Sequence, residues 1–330
     1  MVGITTVGPY LEGRGLIRPG ERIDAVELGG GVSNVVLSVR TGTRALVIKQ
    51  SLGRLRVADE WLAKRERIIT EAQALQLANQ LTPGAVPEVL DMDPQALTLT
   101  MASAPQAWRN WKECLLAGEA EPTVARGLGR VLATWHRETA GKPEVATRFA
   151  DVEAFDQLRV DPYYRTVMRR RPALADAIGG YVDRMLRTRR CLVHGDYSPK
   201  NVLVGPDQSW VLDFEVAHVG DPAFDLAFML NHLMLKAFHR PQTAADYQRC
   251  ARAFWSEYRA GVPADLVDEP YVLGHTGCLM LARVDGKSPA EYLTAAEQGI
   301  ARSVGEQLLS GTVPDLEEAW LIATTTLRRK

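Results

Sequence analysis

The sequence predicts an α+β fold in two lobes, a small β-rich lobe with one long helix followed by a larger helical lobe. Three observations carry this expectation. Short β-type runs separated by turn residues crowd around one helical stretch in residues 25–101; helical periodicity dominates from residue 123 onward; and a β-rich island at 192–214 interrupts that helical half. At 330 residues the chain is too long for one small core. The lobe boundary is expected at the connector, with residues 1–103 N-terminal and 104–330 C-terminal.

Residues 25–28 run into Gly29-Gly30-Gly31, and the runs 34–39 and 45–49 are separated by Thr41-Gly42-Thr43, which reads as a meander of three strands. Residues 61–80 contain neither Gly nor Pro and place Ile68, Ala72, Leu75 and Ala78 on one helical face. Pro83-Gly84 ends that helix. Residues 86–90 and 97–101 read as two further strands flanking Asp93-Pro94, and 102–107 as the connector. Beyond it, 123–138 carries Val124, Leu128, Val131, Leu132 and Trp135 on one stripe. Further helices are expected at 173–190, 224–237 and 246–259, and across 289–326.

Composition excludes several function classes. With 46% apolar and 24% charged residues the chain is globular, and a net charge of −1 gives no bulk field for nucleic acid or an anionic membrane. Neither partner is expected. Cys114, Cys191, Cys250 and Cys278 form no CxxC pair and read as free thiols of a reducing compartment. Residues 1–10 lack a basic region followed by an apolar run, and the most apolar stretch, 224–238, is too short for a membrane span and contains Asn231, His232 and Lys236. A cytoplasmic location is the resulting expectation.

The chemistry concentrates in the island. His194-Gly195-Asp196 leads through Pro199 to Asn201, and 202–204 and 210–212 are β runs joined by a turn around residue 207. A hairpin folded there sets Asn201 opposite Asp213 at its open end. An amide oxygen and a carboxylate meeting in this way suit a hard cation such as Mg²⁺. Asp196 lies five residues before Asn201, the spacing of a kinase catalytic loop, in which the Asp accepts a substrate hydroxyl proton and the Asn holds a metal. An alcohol is a weak nucleophile, and a carboxylate beside the γ-phosphate can orient it and take its proton. His194 reads as a support of the loop rather than a base.

If Asp196, Asn201 and Asp213 serve transfer, the first lobe should hold ATP. Gly29, Gly30, Gly31, Ser33 and Asn34 between two strands offer backbone N–H groups with little side chain in the way. The G-x-x-x-x-G-K-[ST] pattern is absent. Val47-Ile48-Lys49 ends the third strand with a lysine suited to the α- and β-phosphates, provided an acid holds it. The helix supplies Glu71, preferred here, and Glu66 as a competitor. Residues 99–104 would form the hinge, with Met101, Ala102 and Ala104 against adenine.

Taken together, these residues resemble the aminoglycoside phosphotransferase and choline kinase-like superfamily, which has the protein-kinase-like fold. The similarity rests on His194-Gly195-Asp196 through Asn201, Leu212-Asp213-Phe214-Glu215, Gly220-Asp221-Pro222 and Phe224-Asp225-Leu226-Ala227. It implies Asp196 as catalytic base, Asn201 and Asp213 as metal ligands, and Asp225 as an acid bracing the catalytic loop. Glu215 stands where that superfamily often has an acid and either reaches a second Mg²⁺ or pairs with an arginine. The first lobe is also similar to methylthioribose kinases, through residues 29–34, Val47-Ile48-Lys49-Gln50, Leu55-Arg56-Val57, Trp61 and residues 67–75. The chain departs from those kinases in having Asn201 and in its Gly220-Asp221-Pro222 run. Only eleven residues separate Asp213 from Asp225, and no A-P-E follows, so a small acceptor is expected rather than a polypeptide.

The acceptor should meet the helical lobe. Residues 106–190 contain sixteen Lys or Arg against eleven acids, which does not suit a polycation and favours a neutral or anionic sugar-like or alcohol acceptor. Arg283 and Lys287, around Asp285 and Gly286, are candidate acceptor contacts or a helix end. The expectation is thus an ATP- and Mg²⁺-dependent small-molecule kinase. An aminoglycoside-type antibiotic kinase and a non-catalytic nucleotide-binding module are the alternatives.

Overall fold

Alternation along the strands decides the layering of the N-terminal part. The computed structural model describes residues 2–29, 34–53 and 64–329. Strands β1 (Asp24–Glu27), β2 (Asn34–Arg40), β3 (Ala45–Ser51), β4 (Val89–Asp93) and β5 (Thr98–Ala102) form one antiparallel sheet in the order β1-β2-β3-β5-β4. Val35, Leu37, Val39, Leu46 and Ile48 turn to one face and pack with Val7 and Leu11 of helix α1 (Val7–Gly13). Leu99 and Met101 turn to the other, where helix α2 (Arg67–Leu81) lays down Ile68, Ala72, Leu75 and Ala78. Lys49 pairs in register with Leu99 and shares that second face, which is why it meets α2.

Three differences from expectation have local causes. Helix α1 is absent from the sequence reading because Gly8, Pro9 and Gly13 give it poor propensity; docking of Val7 and Leu11, one turn apart, holds it. Strand β4 begins at Val89 rather than 86, since Pro87 has no N–H to pair. Helix α2 begins at Arg67; residues 61–63 of the expected 61–80 helix lie outside the described residues.

The C-terminal part is built from helices α3 (Pro122–Thr139), α4 (Ala175–Arg187), α5 (Ala223–His239), α6 (Ala244–Gly261), α7 (Glu269–Asp285), α8 (Ala295–Leu309) and α9 (Leu316–Arg328). Helix α5 is buried almost all round and forms the axis of this core. Helix α7 was not expected, because Gly274 and Gly277 depress its propensity. Gly277 is there for close approach: a Cβ would sit 2.6 Å from the Gly305 carbonyl oxygen of α8. The 289–326 stretch is helical as expected and forms two helices; Gly311, with φ +69°, and Pro314 separate them, and Thr294 with Glu297 caps α8.

Between these helices lie β6 (Arg109–Asn110), β7 (Cys191–Val193), β8 (Val202–Val204), β9 (Ser209–Val211) and β10 (His218–Gly220). Strands β8 and β9 form the hairpin, β6 adds to β8, and β7 pairs with β10. All four cysteines are buried and free. Among the described residues no helix is long and apolar enough to cross a membrane.

Candidate functional site

Strand β3 and helix α2 place Lys49 Nζ 2.8 Å from Glu71 Oε1 and 2.7 Å from Oε2, and the same ammonium contacts the Asp213 carboxylate. Glu66 is exposed at the start of α2, so Glu71 is the acid that faces Lys49. Burial disfavours the Lys49 ammonium, but Asp213 and Glu71 outweigh it and raise its pKa. Burial likewise opposes ionisation of Asp213, yet Lys49 and Lys200 hold it well below the usual carboxylate range.

The hairpin brings Asn201 and Asp213 together with one adjustment. Val202 pairs with Val211, so Asn201 stands opposite Leu212, whose N–H donates to the Asn201 carbonyl at 2.8 Å. Asp213 lies one residue further and turns back at φ +70°, a conformation rare for a non-glycine residue and a common mark of functional sites.

Asp196 is buried with its two oxygens in different surroundings. Oδ2 accepts from Arg159 Nη2 at 2.7 Å, Lys200 Nζ at 2.9 Å and Asn201 Nδ2 at 2.8 Å. Oδ1 is buried and, among the described residues, has no hydrogen-bond donor. Burial would raise this carboxyl, but Arg159 and Lys200 hold it below its ordinary value. The Asn201 amide nitrogen also reaches the Asp196 carbonyl at 3.0 Å, which turns the amide oxygen the other way.

The loop carrying Asp196 is fixed from beneath. Asp225, fully buried at the start of α5, accepts the His194 N–H at 2.7 Å and the Gly195 N–H at 2.8 Å, and His136 Nε2 lies 3.4 Å away. His194 Nδ1 accepts the Asp196 N–H at 3.1 Å while Nε2 donates to the Leu212 carbonyl at 3.0 Å. Burial lowers the His194 pKa, so this ring is the neutral Nε2–H tautomer, tying loop to hairpin. Gly195 has φ +77°, and a Cβ there would stand 2.8 Å from Val216 Cγ2 and 3.0 Å from its carbonyl oxygen. Gly195→Ala is expected to cost about 1–3 kcal/mol of stability, read as a lower urea midpoint at unchanged slope.

A cavity of about 310 Å³ opens between the sheet and this loop. Asn34, Lys49, Glu71, Asn201 and Asp213 supply its polar lining, and Val36, Val47, Leu75, Leu203 and Leu212 its apolar lining, with Met101, Ala102 and Ala104 at one edge. The Ala102 N–H is donated to the Glu88 carbonyl at 2.9 Å. Glu215 Oε2 accepts from Asn34 Nδ2 at 2.8 Å and Arg67 Nε at 3.1 Å. Of its two expected partners, the arginine is present. Oxygens of Glu71, Asp213 and Glu215 lie within 4.8 Å of one another. Gly29 is exposed, and Gly30, Gly31 and Ser33 lie outside the described residues.

Arg283 and Lys287 do not line that cavity. Arg283, buried near the end of α7, donates to the Ser288 carbonyl and, at 2.9 Å, to Ser288 Oγ; Lys287 reaches Asp161 Oδ2 at 3.4 Å. Arg159, Lys200 and Arg67 escaped the sequence reading. Lys200 had a signal, since it follows Asp196 by four residues across a loop. Arg159 had none: it sits on a wide, π-type helical segment, Asp156–Arg165, whose irregular winding no periodicity foretells.

Comparison with known proteins places this geometry. Methylthioribose kinase 2 of Oryza sativa subsp. japonica is 29% identical over 252 residues, covering 67% of this chain and 59% of that protein, so the match spans less than two thirds of that relative's length. Among solved structures, a choline/ethanolamine kinase family protein from Mesorhizobium loti superposes with a TM-score of 0.53 at 17% identity, covering 98% of this chain and 100% of that one. A spectinomycin phosphotransferase in complex with ADP and spectinomycin gives 0.54 at 13% identity, covering 98% of each chain. Those two likenesses concern the fold. A sequence profile of the phosphotransferase enzyme family matches residues 24–261, from β1 to the end of α6 and so across every side chain of the cavity and the Asp196 loop. The chain belongs to the phosphotransferase enzyme family.

Proposed function

We propose that this chain transfers the γ-phosphoryl group of ATP to a hydroxyl of a small molecule, with residues 1–103 as the nucleotide lobe and 104–330 as the catalytic and acceptor lobe. The supporting observation is the convergence of Lys49, Asn201 and Asp213 on one cavity, with Asp196 hydrogen-bonded to Asn201 and keeping one buried oxygen without a donor among the described residues. Asp196 Oδ1 is the base: it orients the acceptor hydroxyl and takes its proton as the new O–P bond forms and ADP departs. Because Arg159 and Lys200 keep this carboxylate ionised and weakly basic, proton transfer comes late, when the attacking oxygen has become acidic.

The donor set fits a divalent cation. Glu71, Asp213 and Glu215 bring carboxylate oxygens within 4.8 Å of one another, a cluster of hard oxygen donors that a divalent cation suits. Asp213 and the amide oxygen of Asn201 would hold Mg²⁺, with Glu215 near enough to assist a second ion. Bound Mg²⁺ neutralises phosphate oxygens and aligns the transferred group. Lys49, steadied by Glu71, would face the α- and β-phosphates, and the backbone N–H groups of Gly29, Gly30, Gly31, Ser33 and Asn34 are the further phosphate contacts this reading assigns. The apolar walls take adenine, with the backbone of Met101, Ala102 and Ala104 against its edge. The buried free thiols support a cytoplasmic location.

The test is ADP release from ATP and Mg²⁺ over a panel of methylthioribose, other sugars, amino alcohols and aminoglycosides. One acceptor is expected to turn over, and Asp213→Asn to reduce that turnover by about 100-fold or more. Nucleotide binding without transfer to any acceptor would favour the non-catalytic reading and sink this one.

A further inference from the structure

Among the described residues, the helical core holds two basic side chains with no carboxylate at ion-pair distance, although Glu291 acts on both from further away. Lys236 of α5 is 1% exposed, and its ammonium meets only the His232 carbonyl at 3.4 Å and the face of Tyr292 at 5.6 Å. Arg283 of α7 is 8% exposed; among the described residues its guanidinium is held by Ser288 alone, and its Nε is buried without an acceptor. Among the described residues neither has a carboxylate partner. Buried charges are ordinarily paired, so two unpaired cations from adjacent helices are costly in the empty protein. Lys112 stands at the rim, held 2.7 Å from the exposed Glu291.

Geometry links these groups to the proposed catalytic loop: Asn110, two residues before Lys112, donates its Nδ2 to the Lys200 carbonyl at 2.7 Å, and Tyr163 packs on Phe228, which packs on His232, one turn before Lys236. Burial opposes ionisation of the Tyr163 hydroxyl, but Arg283, Arg159 and Lys200 together pull its pKa down while Asp196 opposes them, so Tyr163 lies within the field of both clusters. Lys200, paired with Asp196, also acts on His232, as do Lys236, Arg283 and Lys112. Burial and then Lys112 and Arg283 push Lys236 down to about 7, against Glu291. A further positive charge would worsen this arrangement, and a neutral group would leave it unrelieved.

We propose that Lys236 and Arg283, with Lys112 at the rim, bind an anionic group of the acceptor, a carboxylate or a phosphate, while its hydroxyl lies at Asp196. This assignment rests on the phosphotransferase reading above and narrows its acceptor to hydroxylated anions. The same cations reject polycations such as aminoglycosides.

The full chain, saturated with ADP and Mg²⁺ so that the nucleotide positions are filled, is titrated calorimetrically with matched probes. Gluconate is compared with glucitol, ribose 5-phosphate with ribose, and glucosamine serves as the cationic control. At least one anionic probe is expected to bind about tenfold or more tightly than its neutral partner, a difference that Lys236→Met removes. The pair showing the larger difference separates carboxylate from phosphate. Below pH 7, where Lys236 carries its charge, Lys236→Met is also expected to raise the melting temperature of the acceptor-free protein, as loss of an unpaired buried charge should. If that variant fails to fold, Arg283→Lys takes its place and should weaken the anion preference while keeping the charge. No anion preference at millimolar probe, or a preference retained in the variants, overturns the assignment. Failure of the native chain to bind ADP would instead tell against the phosphotransferase reading itself.

Discussion

Asp196→Asn is expected to lower the turnover number for phosphoryl transfer by about 10²–10⁴-fold, with ADP affinity retained. The substitution preserves shape but removes the charge that takes the hydroxyl proton. It also leaves Arg159 buried beside a neutral amide, so folding must be followed in the same samples by chemical denaturation. A variant that is folded, binds ADP and still turns over at the native rate would remove Asp196 from the mechanism. The pH dependence supplies a second check. Arg159 and Lys200 hold the folded-state pKa below the ordinary value of 3.8, so Asp196 stays ionised from neutral pH down past that value. The acid limb of kcat assigned to this group should therefore fall below pH 3.8. The linked stability has the same sign: it is present above the unfolded-state pKa and is lost as pH falls through the folded-state value.

Asp225→Asn is expected to cost about 2–5 kcal/mol of stability and to remove most activity, although Asp225 touches no substrate. Each of its oxygens accepts a backbone N–H of the Asp196 loop, from His194 and Gly195, and both bonds are fully buried. An amide offers one oxygen and one NH₂, so one loop N–H would face a donor. Gly195 must then move, and with it the carboxylate one residue on. Urea titration should show a lowered midpoint at constant slope. A positioning role predicts that kcat falls further than ADP affinity, whereas a merely structural role predicts equal loss of both in proportion to unfolded protein. An unchanged urea midpoint would contradict the buried geometry described above.

How much of this was legible beforehand follows from the range of the interactions involved. The N-terminal meander and helices α3, α5 and α6 were visible because an amphipathic or alternating pattern is a local signal spread over many residues. Helices α1 and α7 were not, since their glycines and proline argue against them locally and distant surfaces hold them. At the site, the hairpin arithmetic was off by one residue, pairing Asn201 with Leu212, because turn geometry sets the register and the sequence of the turn does not specify it uniquely.

Spacing along the chain is sufficient to bring Asp196, Asn201 and Asp213 into one neighbourhood, because they belong to one short loop and one hairpin whose ends must meet. It also offers both Glu66 and Glu71 to Lys49. The choice of Glu71 is made by the face of β3 on which Lys49 emerges and the side of α2 packed against it. The orientation of Asp196 by Arg159, the clamp of Asp225 on the loop, and the unpaired Lys236 and Arg283 all bring together residues tens of positions apart. No local rule reaches that far; burial and charge act through space, and only the packed chain states which groups share it.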